Sequence, residues 1–299
     1  MRVLLTGGTG FIGSYLVPQL LANGHHLTLL VRESYGSGKP LPRRLQACRS
    51  KVELVYADLR NFSLTARAVR QADPQIVYHL AAAGATDPFL SVDAALRHNV
   101  NGTVNLLRAS FERGQDVAAC IVARTPGESS AMNVYAAAKA AAWTFCKMYA
   151  RTAGWPVTGA TIFQAYGPGQ PAHALAPAAI EAASRGADFP MTSGQQQRDW
   201  IHVRDVAAGL TAMSAAGLEA GESVDIGSGK VFSIREVAEM IYSLIDRGGK
   251  VRPGQLPDRP GEAASQQADA ERTWQMIGWR ASLALPDGLR SMVEKTEPS

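Results

Sequence analysis

Short apolar runs rich in Val, Ile and Leu alternate along this chain with longer segments whose apolar positions recur at helical spacing. βαβ units around a parallel sheet produce that alternation, because their strands are covered on both faces while each helix buries only one stripe. The spacing predicts strands over Arg2 to Thr6, His26 to Val31, Lys51 to Tyr56, Gln75 to Leu80, Val117 to Ala123 and Val157 to Phe163. Helices are expected to begin near Gly10, Ser63, Ser91 and Met132. Six strands with helices between them describe a Rossmann-type, doubly wound parallel α/β sheet.

After Phe163 the rhythm loosens into Tyr166-Gly167-Pro168-Gly169-Gln170-Pro171, and Gly and Pro recur from Gly248 to Gly261, as in loops over a binding cleft. The first domain is therefore expected over residues 1–165 and a smaller C-terminal substrate-binding lobe over 166–299. Arg198 to Val203 and Ser223 to Gly229 again read as strands, so the chain is expected to return to the first domain over about residues 198–229. The alanine-rich Ala136 to Ala142, followed by Trp143, Phe145 and Tyr149, reads as a tightly packed helix.

Composition adds exclusions. With 299 residues, 46% of them hydrophobic and 19% charged, the chain is neither disordered nor collagen-like. A net charge of +4 without a long basic run gives no support to nucleic-acid binding, though it suits a small anionic ligand. Cys48, Cys120 and Cys146 form no CxxC, so no metal site is expected, and they read as small buried residues of a reduced, cytoplasmic protein. Met1 to Thr6 run straight into glycines and no stretch of 18 apolar residues follows, so neither an export signal nor a membrane span is expected.

Thr6-Gly7-Gly8-Thr9-Gly10-Phe11-Ile12-Gly13 places glycines at Gly7, Gly10 and Gly13 between a predicted strand and a predicted helix. Bare glycines let the backbone turn tightly and approach a pyrophosphate at the positive helix N-terminus, which is dinucleotide-binding chemistry. At the end of the second strand, where an NAD protein wants a carboxylate for the ribose, this chain has Arg32, whose fork of donors suits a 2′-phosphate. NADP(H) is therefore the preferred expectation. NAD(H) stays open, with Glu33 as the ribose ligand.

Tyr135-Ala136-Ala137-Ala138-Lys139 puts a phenol and an ammonium four residues apart on one helix face. A free phenol titrates at about 10, and a neighbouring ammonium together with the positive charge of a nicotinamide would stabilise its ionised form and lower that value, so Tyr135 is a candidate proton donor with Lys139 as its partner.

With these residues in view, the chain resembles the extended short-chain dehydrogenase/reductases of the NAD(P)-dependent epimerase/dehydratase family, a group acting on nucleotide sugars. The resemblance runs through Thr6 to Gly13, Ala57-Asp58-Leu59, His79-Leu80-Ala81-Ala82, Asn99 to Thr103, Tyr135 to Lys139, Tyr166 to Gly169, Arg198 to Val203 and Ile226 to Gly229, all in family order. It implies that Gly7, Thr9, Gly10, Phe11, Ile12 and Gly13 hold the dinucleotide, and that Asp58 and Leu59 contact the adenine. It also implies that Leu80, Ala81 and Ala82 pass beneath the cofactor, with Asn99 and Phe163 near the nicotinamide and Lys139 on its ribose. Thr86, Gln164, His173, Arg198 and Arg259 take substrate-binding positions, the two arginines at a diphosphate. A homodimer through the helices carrying Asn99 and Tyr135 is implied as well.

This chain departs from the family pattern after the fifth strand. The family's Ser-Ser-x-x-Val-Tyr-Gly and long loop become Arg124-Thr125-Pro126-Gly127-Glu128-Ser129-Ser130, with Tyr135 soon after. Thr125 is the best match for the hydroxyl beside the reacting oxygen, with Ser129 and Ser130 as alternatives. Pro126-Gly127 stands where dehydratases carry Asp-Glu, which disfavours dehydration, and Gly127 stands where enzymes that also epimerise beside the ketone carry Cys. Gln164 replaces a family Asn. The resulting expectation is an NADPH-dependent reductase of a nucleotide-diphosphate 4-keto-6-deoxyhexose, with Tyr135 as proton donor. A nucleotide-sugar epimerase, a reductase of a non-sugar ketone and a non-catalytic dinucleotide-binding protein remain the alternatives.

Overall fold

The computed structural model describes residues 1–32, 40–85, 87, 89–112 and 116–294. In chain order its first half contains β1 (Arg2–Thr6), α1 (Gly13–Ala22), β2 (His26–Val31), β3 (Val52–Tyr56), α2 (Phe62–Ala72) and β4 (Ile76–His79). α3 (Val92–Ala95) then runs through a π turn (Leu96–Asn101) into α4 (Gly102–Phe111), followed by β5 (Ala119–Arg124), α5 (Val134–Ala153) and β6 (Val157–Ile162). The remainder contains β7 (Gln164–Tyr166), α6 (Leu175–Ser184), β8 (Phe189–Pro190), β9 (Gln197–His202), α7 (Val203–Ala215) and β10 (Ser223–Ile226). It ends with β11 (Val231–Ser233), α8 (Ile234–Ile245), β12 (Val251–Arg252), β13 (Ser265–Gln266), α9 (Ala270–Ile277) and α10 (Leu285–Glu294).

Seven parallel strands form the main sheet in the order β3-β2-β1-β4-β5-β6-β10, which is the doubly wound arrangement expected. Successive side chains of a strand point to opposite faces. Leu5, Leu29 and Ile121 accordingly pack with Leu16 and Leu20 of α1 and Val206 and Leu210 of α7, whereas Leu4, Val77 and Val122 pack with Val69, Leu107 and Trp143 from α2, α4 and α5. Each fully buried Leu contributes about 1.5–3 kcal/mol of transfer free energy, so sheet and helices stabilise one another.

Local chemistry sets the helix starts. α1 begins at Gly13, later than Gly10, because residues 10–12 still belong to the glycine turn. Ser91 caps α3 through Ala94 N–H (3.2 Å), and Asn133 caps α5 through Ala136 N–H (2.9 Å).

One expectation is corrected. The strand predicted at Arg198 to Val203 does not join the main sheet. As β9 it is central to a small four-stranded sheet, between β7, β11 and β13. The reason is that β7 peels away from β6 and offers β9 a parallel edge, Gln164 opposite Trp200. The chain returns to the sheet with α7, which packs on α1, and β10, which pairs Ser223 with Gly159 of β6. Around the small sheet Tyr166, Ile180, Trp200, Ile241 and Leu289 form a separate core with α6, α8 and α10. Among the described residues no helix is long and apolar enough to cross a membrane, and no cluster of His, Cys, Asp and Glu side chains could hold a metal ion.

Candidate functional site

β1 delivers the chain to Gly7, whose φ of +73° lies in the left-handed region glycine tolerates. A Cβ there would stand 2.6 Å from Ala81 N and 2.7 Å from the Leu80 carbonyl carbon, so the segment after β4 lies in backbone contact with the turn. A Cβ at Gly13 would meet Gly8 Cα at 2.6 Å, which lets α1 start against the strand. Gly10 donates to Gly7 O (3.0 Å) and is otherwise open around its α-carbon. Thr9, Phe11 and Ile12 are only partly covered, and the first turn of α1 carries no acidic residue and no side-chain cap. Ser14 and Tyr15 N–H are spent on Gly10 O (2.9 Å) and Ile12 O (3.0 Å), so it is the positive dipole end of α1 and the bare backbone of the glycine turn that make a cradle fitting a pyrophosphate.

Arg32 follows β2 and is exposed. Asp58, after β3, accepts from Arg60 Nε (2.9 and 3.0 Å), Arg60 Nη2 (2.5 Å) and Arg60 N–H (2.9 Å), and these hydrogen bonds hold its carboxyl below the usual range. His98, on the π turn, is lowered by burial and by the charges of Arg60 and Arg32, with Asp58 opposing. Arg32, Asp58, Arg60 and His98 thus share one rim. Sequence reasoning singled out only the first two of them. Leu59 lies against Gly102, and its carbonyl accepts from Asn105 Nδ2 (2.8 Å).

A chain of buried hydrogen bonds shapes the segment carrying Leu80, Ala81 and Ala82. Thr103 Oγ1 donates to Asn99 O (2.6 Å), so toward His79 Nε2 (2.9 Å) that oxygen acts as acceptor. The proton of His79 is therefore assigned to Nε2, and Nδ1 accepts from Thr6 Oγ1 (2.7 Å), which in turn accepts Ala81 N–H (3.3 Å). Burial pushes the His79 pKa down to about 3, so the ring is neutral throughout the physiological range. The Asn99 carboxamide is wholly occupied, with Oδ1 accepting Ala83 N–H (2.8 Å) and Nδ2 donating to Ala83 O (2.9 Å).

Tyr135 is half-buried in the first turn of α5 and Lys139 is buried one turn on. Burial, with the nearby Glu128 carboxylate adding to it, pushes the Tyr135 phenol up to about 12, whereas the lowering expected from the sequence draws on the nicotinamide's positive charge as well as on Lys139. Burial lowers Lys139 itself, against the stabilising charge of Glu128. Thr125 is half-buried at the end of β5. The exposed Ser129 spends its hydroxyl on Pro126 O (3.0 Å), and Ser130 points back to Gly127 O (3.5 Å).

Arg124 and Glu128 were missed as site residues. Glu128 Oε2 accepts from Arg124 Nε (2.9 Å) and Nη2 (2.7 Å), while Oε1 accepts Thr125 N–H (2.9 Å). The signal was present, since Thr125-x-x-Glu128 has capping-box spacing. Beside this pair lies a cavity of about 470 Å³, bounded by Arg124, Thr125, Glu128, Trp143, Phe163 and Gln266.

The candidate substrate residues are spread out. Phe163, expected on the nicotinamide side, follows β6 and is buried, its N–H on Ile226 O (3.1 Å), and the substrate candidate Gln164 lies in β7. Arg198 is buried and committed to Gln197 O (2.8 Å), Ala263 O (2.9 Å) and Glu262 (2.9 Å). His173 and Arg259 are exposed, and Thr86 and Glu33 lie outside the described residues. The Tyr166 to Gly169 loop is tied to the first domain by Pro168 O, which accepts from Tyr15 Oη (2.7 Å) and Arg44 Nη2 (3.0 Å).

A doubly wound sheet, a glycine cradle opening α1 and a Tyr/Lys pair on α5 define a dinucleotide-dependent enzyme of the extended short-chain dehydrogenase/reductase type. The chain belongs to the NAD dependent epimerase/dehydratase family, whose model matches residues 3–227. It is 30% identical to a UDP-glucose 4-epimerase of Mycolicibacterium smegmatis over 98% of both chains. It is 26% identical to dTDP-glucose 4,6-dehydratase 1 of Escherichia coli, covering 98% of this chain and 92% of that one. Among solved structures it is similar to MoeE5 in complex with UDP-glucuronic acid and NAD, with a TM-score of 0.85 and 26% identity over 99% of each chain.

Proposed function

We propose that the protein is an NADPH-dependent reductase of a nucleotide-diphosphate 4-keto-6-deoxyhexose. The observation that carries the reading is Arg32, exposed at the end of β2 on the rim it shares with Arg60, where a 2′-phosphate would find charge-assisted donors. Gly7, Thr9, Gly10, Phe11, Ile12 and Gly13 hold the pyrophosphate, Asp58 and Leu59 border the adenine, and Leu80, Ala81, Ala82, Asn99 and Phe163 line the nicotinamide side. When bound, the reduced dinucleotide supplies the hydride for the ketone carbon.

Tyr135 donates its phenolic proton to the carbonyl oxygen, so that the C=O becomes a secondary alcohol. The phenol is protonated at neutral pH, and since burial and the Glu128 carboxylate push its proton affinity up, the phenolate it leaves would be stabilised by the positive charges of Lys139 and of the oxidised nicotinamide formed in the reaction. Lys139 offsets negative charge on the phenol oxygen and reaches the nicotinamide ribose. Thr125 hydrogen-bonds the reacting oxygen. Gln164, His173 and Thr86 flank the sugar and Arg259 serves the diphosphate; Arg198 would join it only by exchanging its ion pair with Glu262 for the phosphate. The protein works as a homodimer in the cytoplasm, a compartment compatible with its free Cys48, Cys120 and Cys146.

A second reading is an NAD(P)-dependent nucleotide-sugar epimerase, favoured by the 30% identity to a UDP-glucose 4-epimerase. The test is purified protein with NADPH or NADH and dTDP-, GDP- and CDP-linked 4-keto-6-deoxyhexoses, followed by the near-ultraviolet absorbance of the nicotinamide. Loss of NADPH absorbance with at least one substrate is expected, and it should slow by about 10²- to 10⁴-fold in Tyr135→Phe while NADPH still binds. An unchanged signal with every substrate overturns the reductase reading. Interconversion of UDP-glucose and UDP-galactose without net NADPH consumption establishes the epimerase instead.

A further inference from the structure

Glu128 is a carboxylate bonded to the Thr125 backbone beside the proposed proton chemistry, and nothing in that chemistry uses it. Its side chain is 4% exposed, so both oxygens need partners, and both have them. Oε1 takes the Thr125 N–H, and Oε2 takes two N–H groups of Arg124. Arg124 is itself anchored, since Nη1 donates to Ser223 Oγ of β10 (2.9 Å) and its guanidinium stacks 4.5 Å above the Trp143 ring of α5. Gly159 of β6 makes room for it, because a Cβ there would lie 2.6 Å from Arg124 Cδ.

The turn bearing Glu128 is also pressed against α5 beside the candidate tyrosine. A Cβ on Gly127 would contact Ala136 Cβ at 3.3 Å, and Met132 N–H donates to Gly127 O (3.3 Å). With three donors on its two oxygens, Glu128 is poorly placed to exchange a proton with substrate. What it can do is hold β5, the turn and α5 in one register.

We propose that Glu128 is a positioning residue, which aims Thr125 through its backbone N–H and sets a counter-charge opposite the buried Lys139 ammonium. The inference rests on the reading that Thr125, Tyr135 and Lys139 carry the proton chemistry. It accounts for the shortened connection between β5 and Tyr135, in which one buried ion pair does the bracing a longer loop would otherwise supply. The groups facing Lys139 are Glu128, Arg124, Cys146 and the neutral His79, and among them Glu128 alone is negative. Tyr135 faces the same carboxylate.

The test compares Glu128→Ala, Glu128→Gln, Thr125→Val and the Glu128→Ala/Thr125→Val double variant. In the protein without substrate, hydrogen exchange at the Thr125 amide should quicken by about tenfold or more in Glu128→Ala and stay slow in Glu128→Gln, which keeps an acceptor. Unchanged exchange in Glu128→Ala overturns the proposal without touching the assigned reaction. In turnover, Glu128→Ala should lower kcat by about 10²-fold at little-changed KM for NADPH. The double variant should be no slower than Thr125→Val alone, and losses that multiply overturn the coupling. Glu128→Gln, which removes only the charge, should move the alkaline limb of kcat to lower pH, because Lys139 then gives up its proton more readily; an unmoved limb refutes the counter-charge. If Thr125→Val alone retains full turnover, the reaction's assignment to Thr125 falls first.

Discussion

Asn99 grips Ala83 with both ends of its carboxamide, accepting the N–H at 2.8 Å and donating to the carbonyl at 2.9 Å. The residue sits in a π turn, an irregularity that often accompanies functional positions, and it fastens the segment after β4 directly beside Gly7. The backbone over which the dinucleotide is proposed to lie is therefore shaped by a side chain from the following helix.

Asn99→Ala should leave the Ala83 N–H and C=O without these partners and cost about 1–3 kcal/mol, read as a lower urea midpoint. Dinucleotide affinity should fall with it. Asn99→Asp keeps the acceptor and loses the donor, so its loss should be intermediate; equal stability of all three proteins would show that the clasp contributes nothing.

Gly7→Ala meets two obstacles at once. The left-handed φ costs a non-glycine residue about 1–3 kcal/mol, and the new methyl collides with the Ala81 backbone. Calorimetric titration with NADPH should show binding reduced by at least about tenfold, while circular dichroism shows the fold retained.

Arg32→Asp replaces the proposed 2′-phosphate ligand with a ribose ligand. Hydrogen bonds to charged groups are worth about 1.5–3 kcal/mol, so the NADPH-to-NADH preference in kcat/KM should fall by about tenfold to several hundredfold. Unaltered preference would mean that the phosphate, if bound, is recognised by other groups such as Arg60.

His79 makes stability depend on pH. Its pKa is about 3 in the folded protein against 6.5 unfolded, so below pH 6.5 the unfolded chain binds a proton that the folded chain refuses. The stability it contributes is complete above pH 6.5 and is lost as pH falls toward 3, at up to about 1.4 kcal/mol per pH unit. His25 and His98 are also held down, so urea unfolding between pH 7 and about 4.5 should be compared with His79→Gln. That variant should show the shallower slope.

Much of the architecture was legible from local pattern. β1 and β2 begin and end where their apolar runs do, and the glycine turn announced itself by spacing and by its place between strand and helix. The partner of β9 was not legible, because Gln197–His202 is an equally good strand in either sheet, and the peeling away of β7 decided the matter. Tyr135 and Lys139 were found by spacing, but the burial that raises the tyrosine's proton affinity was not legible, since spacing reports the ammonium and says nothing of what packs around the phenol.

The chain's own order of residues was enough to point to a doubly wound sheet, a dinucleotide cradle and a Tyr/Lys pair, because each leaves a local mark: alternating apolar runs and helical periods, glycines at fixed spacing, and two side chains one helical turn apart. Arg124 and Glu128 are also near neighbours, yet their spacing alone reads as one more solvated ion pair. Ser223, Trp143 and the space left by Gly159 arrive from β10, α5 and β6 to bury it. The same holds for His79, whose neutral ring is settled by Thr6 and Thr103 on two other elements. Exclusion of water from a charged or titratable group depends on every segment packed around it, and only the assembled fold brings those segments together.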